Sequence, residues 1–352
     1  MWMYIVIFIV LLATELLYFR VAKRFGIVDK PTLRSSHQTD VLRGGGIIIP
    51  LSLFLWAILL GLMNAWCVTM AHWPFFTGLL LIAITGFVDD IRSLPATLRL
   101  AVMFIVVGLM LGQVMIENGG VEVDHWFNGA ALFVLALIVY VGGVNIINFM
   151  DGINGITAGY SLAVLVPLLL LNNRAGVPAF SPNSFLWVAA LGVLVFGLFN
   201  FRPKGKAKCF AGDVGSLSVG FIMMFAVFRL IRQTGDVTWL VLLIVYGVDG
   251  GLTIIHRLML HENIGVAHRK HAYQLMANEL GMDHRVVAAL YAAMQLVISL
   301  VAIYLIPNTT VAHWVYVVCV AVVMSVAYIV FMRKYYHLHE EYLKRVESEG
   351  LK

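Results

Sequence analysis

The sequence predicts an all-α bundle of membrane-spanning helices, and two observations support that prediction. Of the 352 residues, 61% are hydrophobic and only 12% are charged, about half the charged share of a soluble domain. No Asp, Glu, Lys or Arg occurs in the 45 residues from 44 to 88 or in the 47 residues from 286 to 332. A single crossing needs about 20 residues, so each run is long enough for two. Long apolar runs without strict alternation favour helices over a barrel.

Eleven apolar segments can be placed along the chain, with ten as the alternative count. A polar break at residues 64–74 divides the first charge-free run, and Pro307 and Asn308 divide the second. The predicted spans are residues 3–20, 44–63, 75–88, 100–116, 128–147, 156–172, 185–200, 214–231, 237–255, 286–306 and 309–332. No internal repeat or long linker is evident. We therefore expect one integral-membrane domain over residues 1–352, ending in a solvated cytoplasmic helical tail at 333–352.

The basic residues predict how the helices are oriented. With eleven spans and the N-terminus outside, the inside segments are residues 20–43, 88–99, 148–155, 201–213, 256–285 and 333–352. They hold 21 of the 24 Lys and Arg residues, the asymmetry that the positive-inside rule predicts. The first span has no preceding basic residue and no small-residue cleavage site, so we interpret it as a retained helix. The net charge of +5 then belongs to membrane loops, and we expect no nucleic-acid partner.

Five carboxylates fall on the predicted inner face. They are Asp89 and Asp90 after span three, Asp151 after span five, Asp213 before span eight and Asp249 near the inner end of span nine. The Asp89–Asp90 pair could simply cap a helix or lie in a solvated turn. A carboxylate at the depth of Asp249 costs about 2.5–3.5 kcal/mol, so a functional or partnered role is expected. Several carboxylates on one face suit Mg²⁺, which takes one or two of them and leaves other positions to water and phosphate.

A glycine turn and a histidine-rich loop add anion-binding groups to the same face. The run from Ala211 to Ser216 opens a helix, whose backbone N–H groups and dipole can face an anion, and Lys208 lies just before it. The run from His268 to His271 mixes histidines with Arg269 and Lys270. It lacks the ligand spacing of a zinc site and suits a diphosphate or sugar better. A generic basic loop beside anionic lipid is the alternative.

These motifs resemble those of the polyprenyl-phosphate N-acetylhexosamine-1-phosphate transferases. The motifs are Gly86 to Asp90, Asn145 to Gly155 and Phe210 to Ser216, with the first loop from Gly26 through Arg34 and His37 to Gly46. The resemblance implies a multi-pass enzyme of the bacterial inner membrane with a cytoplasmic active site. Such an enzyme transfers an N-acetylhexosamine 1-phosphate from a UDP-sugar to undecaprenyl phosphate, releases UMP and starts a lipid-linked glycan. It needs Mg²⁺, with Mn²⁺ as an alternative ion, and a homodimer is one option for its assembly.

The resemblance and the residue types together assign candidate roles. The candidate metal ligands are Asp213 and Asp89. The candidate catalytic residues are Asp89, Asp90, Asp151, Asp213 and His271. The candidate substrate-binding residues are Asn145, Asn148, Lys208, Gly212, Ser216, Asp249, His268 and Arg269.

The sequence also departs from the family pattern. Asn154 stands where many members have a second Asp, and Thr97 stands where a Lys is usual, although Arg99 follows. The run from His271 to Gln274 replaces the His-x-His-His of N-acetylglucosamine and muramoyl-pentapeptide members. It resembles the branch that serves O-antigen and capsule assembly, so transfer of a peptidoglycan precursor is not expected.

An ion-coupled secondary transporter is the main alternative, because eleven helices and buried carboxylates also fit ion coupling. Transporters place their sites near the membrane midplane and show related halves. Here the carboxylates gather at one interface and no repeat is visible, which favours the enzyme.

Overall fold

The computed structural model describes residues 2–31, 39–63, 72–116, 126–266 and 268–348. Arg34 and His37 of the first-loop motif lie outside the described residues. The helices of the described part are α1 (Trp2–Phe25), α2 (Ile48–Leu62), α3 (Trp73–Ile91), α4 (Ala96–Ile116), α5 (Trp126–Phe149), α6 (Ile156–Asn172), α7 (Asn183–Asn200), α8 (Gly212–Thr234), α9 (Ile244–Met259), α10 (Ala272–Asn278), α11 (His284–Tyr304) and α12 (Thr310–Ser348). Short 3₁₀ helices, Gly45–Ile47 and Val237–Leu243, precede α2 and α9. Strands β1 (Val28–Asp29) and β2 (Val41–Leu42) pair antiparallel.

A helix stands at each of the eleven predicted spans, and the all-α polytopic bundle is confirmed. Nine helices of the described part are long and apolar enough to cross a membrane. The other two predicted spans correspond to the shorter apolar helices Ala96–Gly112 and Ile156–Asn172. The ninth span is a 3₁₀ turn continued by α9. Helix α10, seven residues in the loop before α11, was not anticipated, and neither was the short β1–β2 pair.

Helix α8 forms the centre of the bundle. In the most apolar stretch of α8, 83% of the residues are buried, against 11% in that of α12. Helix α8 is therefore surrounded by protein, while α12 lies at the periphery. Helices α2, α3, α5, α6 and the 3₁₀ turn before α9 pack around it. Near its middle, the rings of Phe221 and Phe225 contact the ring of Phe75 of α3 at centroid distances of 5.4 and 4.3 Å. The helix whose first turn carries Asp213 is therefore held by packing in the core of the bundle.

The end of α12 differs from the prediction of a solvated tail. The helix runs without a break for 39 residues, about 58 Å at the usual rise, well beyond one bilayer crossing. Residues 333–348 are helical as expected, but His339 is only 1% exposed. The tail packs against α10 because aromatic and histidine side chains recur along one of its faces.

Close backbone contact joins the first loop to the turn before α8. Gly45 N–H donates to Phe210 O at 2.9 Å, and Gly46 N–H donates to Ala211 O at 3.1 Å. A Cβ on Gly46 would lie 2.5 Å from Gly215 Cα and 2.7 Å from Ala211 O. Only glycine permits this approach, which explains the glycine run of the first loop.

Gly46→Ala is expected to destabilise the fold by about 1–3 kcal/mol, because the added methyl group must push two backbone segments apart. Gly108→Ala in α4 is the matched control, since a Cβ there meets nothing within 4 Å. Thermal unfolding of the detergent-solubilised protein measures both. An equal midpoint for the two variants would contradict the close-packing argument.

Candidate active site

A cleft of about 730 Å³ lies at one end of the bundle, within the range of small-molecule sites. It is lined by residues from five of the six predicted inside segments, and the sixth contacts the histidine loop from outside. The candidates that line it are Asp89, Asn145, Asn148, Asp151, Gly212, Asp213, His268 and His271. The candidates that do not line it are Asp90, Lys208, Ser216, Asp249 and Arg269. Asp89, Asp151 and Asp213 thus converge on one face, as predicted.

Two of these carboxylates share one guanidinium. Arg99 Nη1 donates to Asp213 Oδ2 at 2.7 Å and to Asp89 Oδ2 at 3.1 Å. The other Asp89 oxygen accepts a bond from Leu94 N–H at 2.6 Å, which turns the chain into α4. Arg99 was not among the predicted site residues. Its position in the same short inside segment as the paired aspartates was the signal that could have identified it.

Asp90 is a structural anchor. Its side chain is fully buried and forms an ion pair with Arg43, whose Nε lies 2.8 Å from Oδ1. It also accepts the N–H groups of Asp213 at 2.8 Å and Val214 at 3.1 Å, the first turn of α8. Gly212, at φ +68°, leaves room for this carboxylate, since a Cβ there would lie 2.3 Å from Asp90 Oδ2. Asp90 therefore positions the nearby Asp213 and does not line the cleft, and the direct catalytic role expected of it stays a prediction.

Asp151 lies in the turn between α5 and α6. Its Oδ1 accepts the Thr157 hydroxyl at 2.5 Å. Burial raises the pKa of this carboxyl to about 6, although the bond from Thr157 opposes the rise. The group is therefore easier to protonate than an ordinary carboxyl, and ionising it costs the folded state free energy.

Three side-chain amides and one hydroxyl line or support the cleft. Asn148 Oδ1 accepts the Ser216 hydroxyl at 2.5 Å, so Ser216 orients Asn148 from behind. Asn145 donates to Val141 O at 2.8 Å, one turn back in its own helix. Asn154, which replaces the family's second Asp, instead ties the turn to Pro203 O at 2.9 Å.

His271 is held by Asp249 at the far wall. Its Nδ1 lies 3.2 Å from Asp249 Oδ1, while its Nε2 is buried without a hydrogen-bond partner among the described residues. Asp249 also accepts Tyr291 Oη at 2.6 Å and Ala272 N–H at 3.2 Å. Of the two roles expected for Asp249, the structure supports the partnered one. It starts α10 and fixes the ring of His271, and it does not line the substrate cleft.

The cationic candidates divide between the cleft and its surroundings. Lys208 is solvent-exposed, and Arg269 pairs with Glu279 at 2.9 Å on the side away from the cleft. His268 does line the cleft. Burial, followed by the neighbouring His271 and Arg257, lowers its pKa to about 3. His268 is therefore neutral at pH 7 and can offer a hydrogen bond, while Arg43 and Arg99 supply positive charge to the cleft.

The carboxylates of Asp89 and Asp213 also fit a magnesium ion. Their Oδ2 atoms lie within 3.1 Å of the same nitrogen, so they are close enough to face one cation. No group of three or more His, Cys, Asp or Glu that could hold a metal occurs in the described ranges. A two-carboxylate site completed by water and phosphate is the arrangement that Mg²⁺ prefers over a closed protein cage.

Comparisons with known proteins agree with this site. A family model described as "Glycosyl transferase family 4" matches residues 72–231. A probable undecaprenyl-phosphate N-acetylglucosaminyl 1-phosphate transferase from Bacillus subtilis is 27% identical over 86% of this chain and 84% of that protein. An undecaprenyl-phosphate alpha-N-acetylglucosaminyl 1-phosphate transferase from Escherichia coli K12 is 25% identical over 62% of this chain and 59% of that protein. A phospho-N-acetylmuramoyl-pentapeptide-transferase from Thermotoga neapolitana is 30% identical over 41% of this chain, which spans about half (48%) of that relative.

The helical bundle and these matches define a multi-pass membrane protein of the phosphosugar transferase class. The resemblance inferred from the motifs is confirmed: the chain is similar to glycosyl transferase family 4 over residues 72–231 and to the undecaprenyl-phosphate N-acetylglucosaminyl 1-phosphate transferases along more of its length.

Asp90→Asn is expected to lower the free energy of unfolding by about 2–3 kcal/mol. The new NH₂ group must face an N–H donor whose hydrogen bond the carboxylate accepted, so that donor loses its partner. Asp89→Asn should cost less than about 1 kcal/mol, since Arg99 is partly exposed and can move away. Unfolding of the two purified variants in the same detergent tests the contrast. Equal losses would contradict the division of the pair into an anchor and a cleft residue.

Asp151→Asn is expected to stabilise the protein more at pH 8 than at pH 5, by about 1 kcal/mol. A carboxyl whose pKa is raised on folding binds its proton more tightly in the folded state. Wild-type stability therefore falls as pH rises from about 4 to about 6, and the amide abolishes that dependence. Thermal midpoints of both proteins at the two pH values measure it. A stabilisation independent of pH would contradict the raised pKa.

Proposed function

We propose that the protein transfers an N-acetylhexosamine 1-phosphate from a UDP-sugar to undecaprenyl phosphate, releasing UMP and initiating a lipid-linked glycan. The observation that carries the proposal is the convergence of Asp89, Asp213 and Arg99 with His271 in one cleft. The names of the B. subtilis and E. coli relatives support undecaprenyl phosphate as the acceptor and an N-acetylhexosamine as the sugar. A pentapeptide-transferase also matches, over 41% of this chain, and the exclusion of peptidoglycan precursors as donors stays a prediction from the run from His271 to Gln274.

The reaction joins two anions, and the cleft is built to permit that. An oxygen of the acceptor phosphate attacks the β-phosphorus of the UDP-sugar. The bond from that phosphorus to the bridging oxygen breaks, and UMP leaves with the electron pair. The acceptor phosphate is already mostly a dianion at pH 7, so a strong base is not required. The task of the protein is to position the groups and offset their charge.

The chain's own residues divide this task. The guanidinium groups of Arg99 and Arg43 face phosphate oxygens, while His271 Nε2 and His268 offer hydrogen bonds to the sugar diphosphate. Asn145, Asn148 and Asp151 shape the nucleotide end of the cleft. Mg²⁺, held by Asp213 and Asp89, would supply charge neutralisation at the diphosphate, as metal ions do in phosphoryl transfer generally. Mn²⁺ is the alternative ion.

An apolar wall beside the charged centre supports a lipid acceptor. Leu100, Met103, Leu217 and Ile254 line the same cleft as the aspartates. Leu100 is 43% exposed, so this wall continues onto the outer surface of the bundle. An isoprenoid chain could lie along it while its phosphate reaches the carboxylates.

The distribution of basic residues supports an orientation in the membrane. Since 21 of the 24 Lys and Arg residues lie in the segments that gather at this end, we place the cleft on the cytoplasmic face of the inner membrane and the N-terminus outside. Ion-coupled transport is disfavoured because the clustered carboxylates stand at helix ends and in turns.

Purified protein in nanodiscs, supplied with undecaprenyl phosphate, Mg²⁺ and a panel of UDP-N-acetylhexosamines, is expected to release UMP with at least one donor. The donor that turns over identifies the sugar. Omission of the lipid or chelation of the metal should stop the release. Solute uptake into proteoliposomes without UMP from any donor would overturn the proposal in favour of transport.

Asp213→Asn is expected to lower kcat by about 100-fold or more, because a metal contributes several kcal/mol of charge stabilisation to such a transfer. Lys208→Ala is the control: this lysine lies just before the same glycine turn, but it is exposed and outside the cleft. UMP release at saturating Mg²⁺ measures both variants. Full turnover by a well-folded Asp213→Asn protein would refute the metal-ligand role.

A further inference from the structure

The loop that carries His268 and His271 has a second face, turned away from the cleft. Arg269, between the two histidines, donates from Nη2 to Glu279 Oε1 at 2.9 Å. Its side chain is 11% exposed and that of Glu279 is 4% exposed. A buried charge pair at this point fixes the backbone on which both cleft histidines are mounted.

The end of α12 completes this pair. His339 Nδ1 lies 3.1 Å from the same Glu279 oxygen, with its side chain 1% exposed. The ring of Tyr342, one helical turn further on, lies under the guanidinium of Arg269 at 4.1 Å, a distance typical of a cation–π contact. We call Arg269, Glu279, His339 and Tyr342 the tail latch.

Helix α12 also contacts α9, the helix that precedes the histidine loop. Tyr328 Oη is 2.8 Å from Thr253 Oγ1 of α9, and the ring of Tyr336 lies 4.8 Å from that of His256. Further along, however, a cavity of about 420 Å³ separates the histidine loop from the end of α12. Leu343 and Val346 line this cavity. Continuous packing therefore does not hold the loop here. The latch contacts act beside the hydrogen bonds from Arg257 to Asn263 O and Val266 O and beside the Lys270–Glu262 pair.

We propose that the end of α12 is a positioning element of the donor site: Tyr342 and His339 hold Arg269, and thereby keep His268 and His271 in place for the sugar diphosphate. The inference rests on the proposed function for the identity of the donor. It assigns no contact with substrate to the tail. The effect must therefore appear in donor binding, without loss of acceptor binding.

The test compares Tyr342→Ala, Tyr342→Phe and Glu341→Ala in nanodiscs. Tyr342→Ala is expected to raise KM for the active UDP-sugar about tenfold, with kcat within about twofold and KM for undecaprenyl phosphate unchanged. Tyr342→Phe keeps the aromatic face and should recover most of the wild-type KM. Glu341 is exposed beside it, so Glu341→Ala should behave as wild type. An unchanged donor KM in Tyr342→Ala, or equal losses toward both substrates, would overturn the proposal.

A second measurement does not depend on activity. Hydrogen–deuterium exchange of peptides spanning 256–271 is expected to rise in Tyr342→Ala but not in Tyr342→Phe or Glu341→Ala. If wild type releases no UMP from any donor, the proposed function fails, while the exchange data still decide whether the latch holds the loop. Exchange identical to wild type in Tyr342→Ala would refute the latch itself.

Discussion

The buried carboxylate of Asp90 is the interaction on which the rest of the site depends. It accepts Arg43 from the first loop and two backbone N–H groups at the start of α8. Two segments that are distant in sequence are thereby fixed to the end of α3. A buried carboxylate is tolerable only with such full pairing. Asp89 precedes Asp90 in the sequence, and the backbone N–H of Asp213 is bonded to Asp90. The side chains of Asp89 and Asp213 are therefore brought together in the cleft.

Asp249 plays a similar part behind His271, outside the cleft lining. It too is buried, and protein donors satisfy it: Tyr291, His271 and the first N–H group of α10. In both places a carboxylate deep in the protein organises a helix start, and an adjacent residue faces the cleft. The five aspartates of the predicted inner face therefore divide into anchors, which hold backbone, and cleft groups, which are available for chemistry.

Charge balance explains how this acidic cleft can still accept an anionic substrate. Arg99 lies between Asp89 and Asp213, and Arg43 pairs with Asp90. Both guanidinium groups are about one-third exposed at 31%, so each is oriented by a carboxylate yet reachable from the cleft. Such preorganised charges need little rearrangement when phosphate charge arrives. In the tail latch, Arg269 is likewise oriented by a carboxylate, that of Glu279. It lies outside the cleft, where its role is to hold the loop.

The sequence by itself determined the class of fold, the eleven helices and the face on which the carboxylates gather. These features follow from hydropathy, from the distribution of Lys and Arg and from local motifs, which are properties of short segments. Tertiary structure alone decided which member of each motif faces the cleft. Asp89 and Asp90 are identical in type and adjacent in sequence, yet they stand about 100° apart around the helix axis, and the partners that bury one come from residues 43 and 213. The docking of α12 on the histidine loop was decided in the same way, because pairing between residues 269, 279 and 339 leaves no periodic signal along the chain.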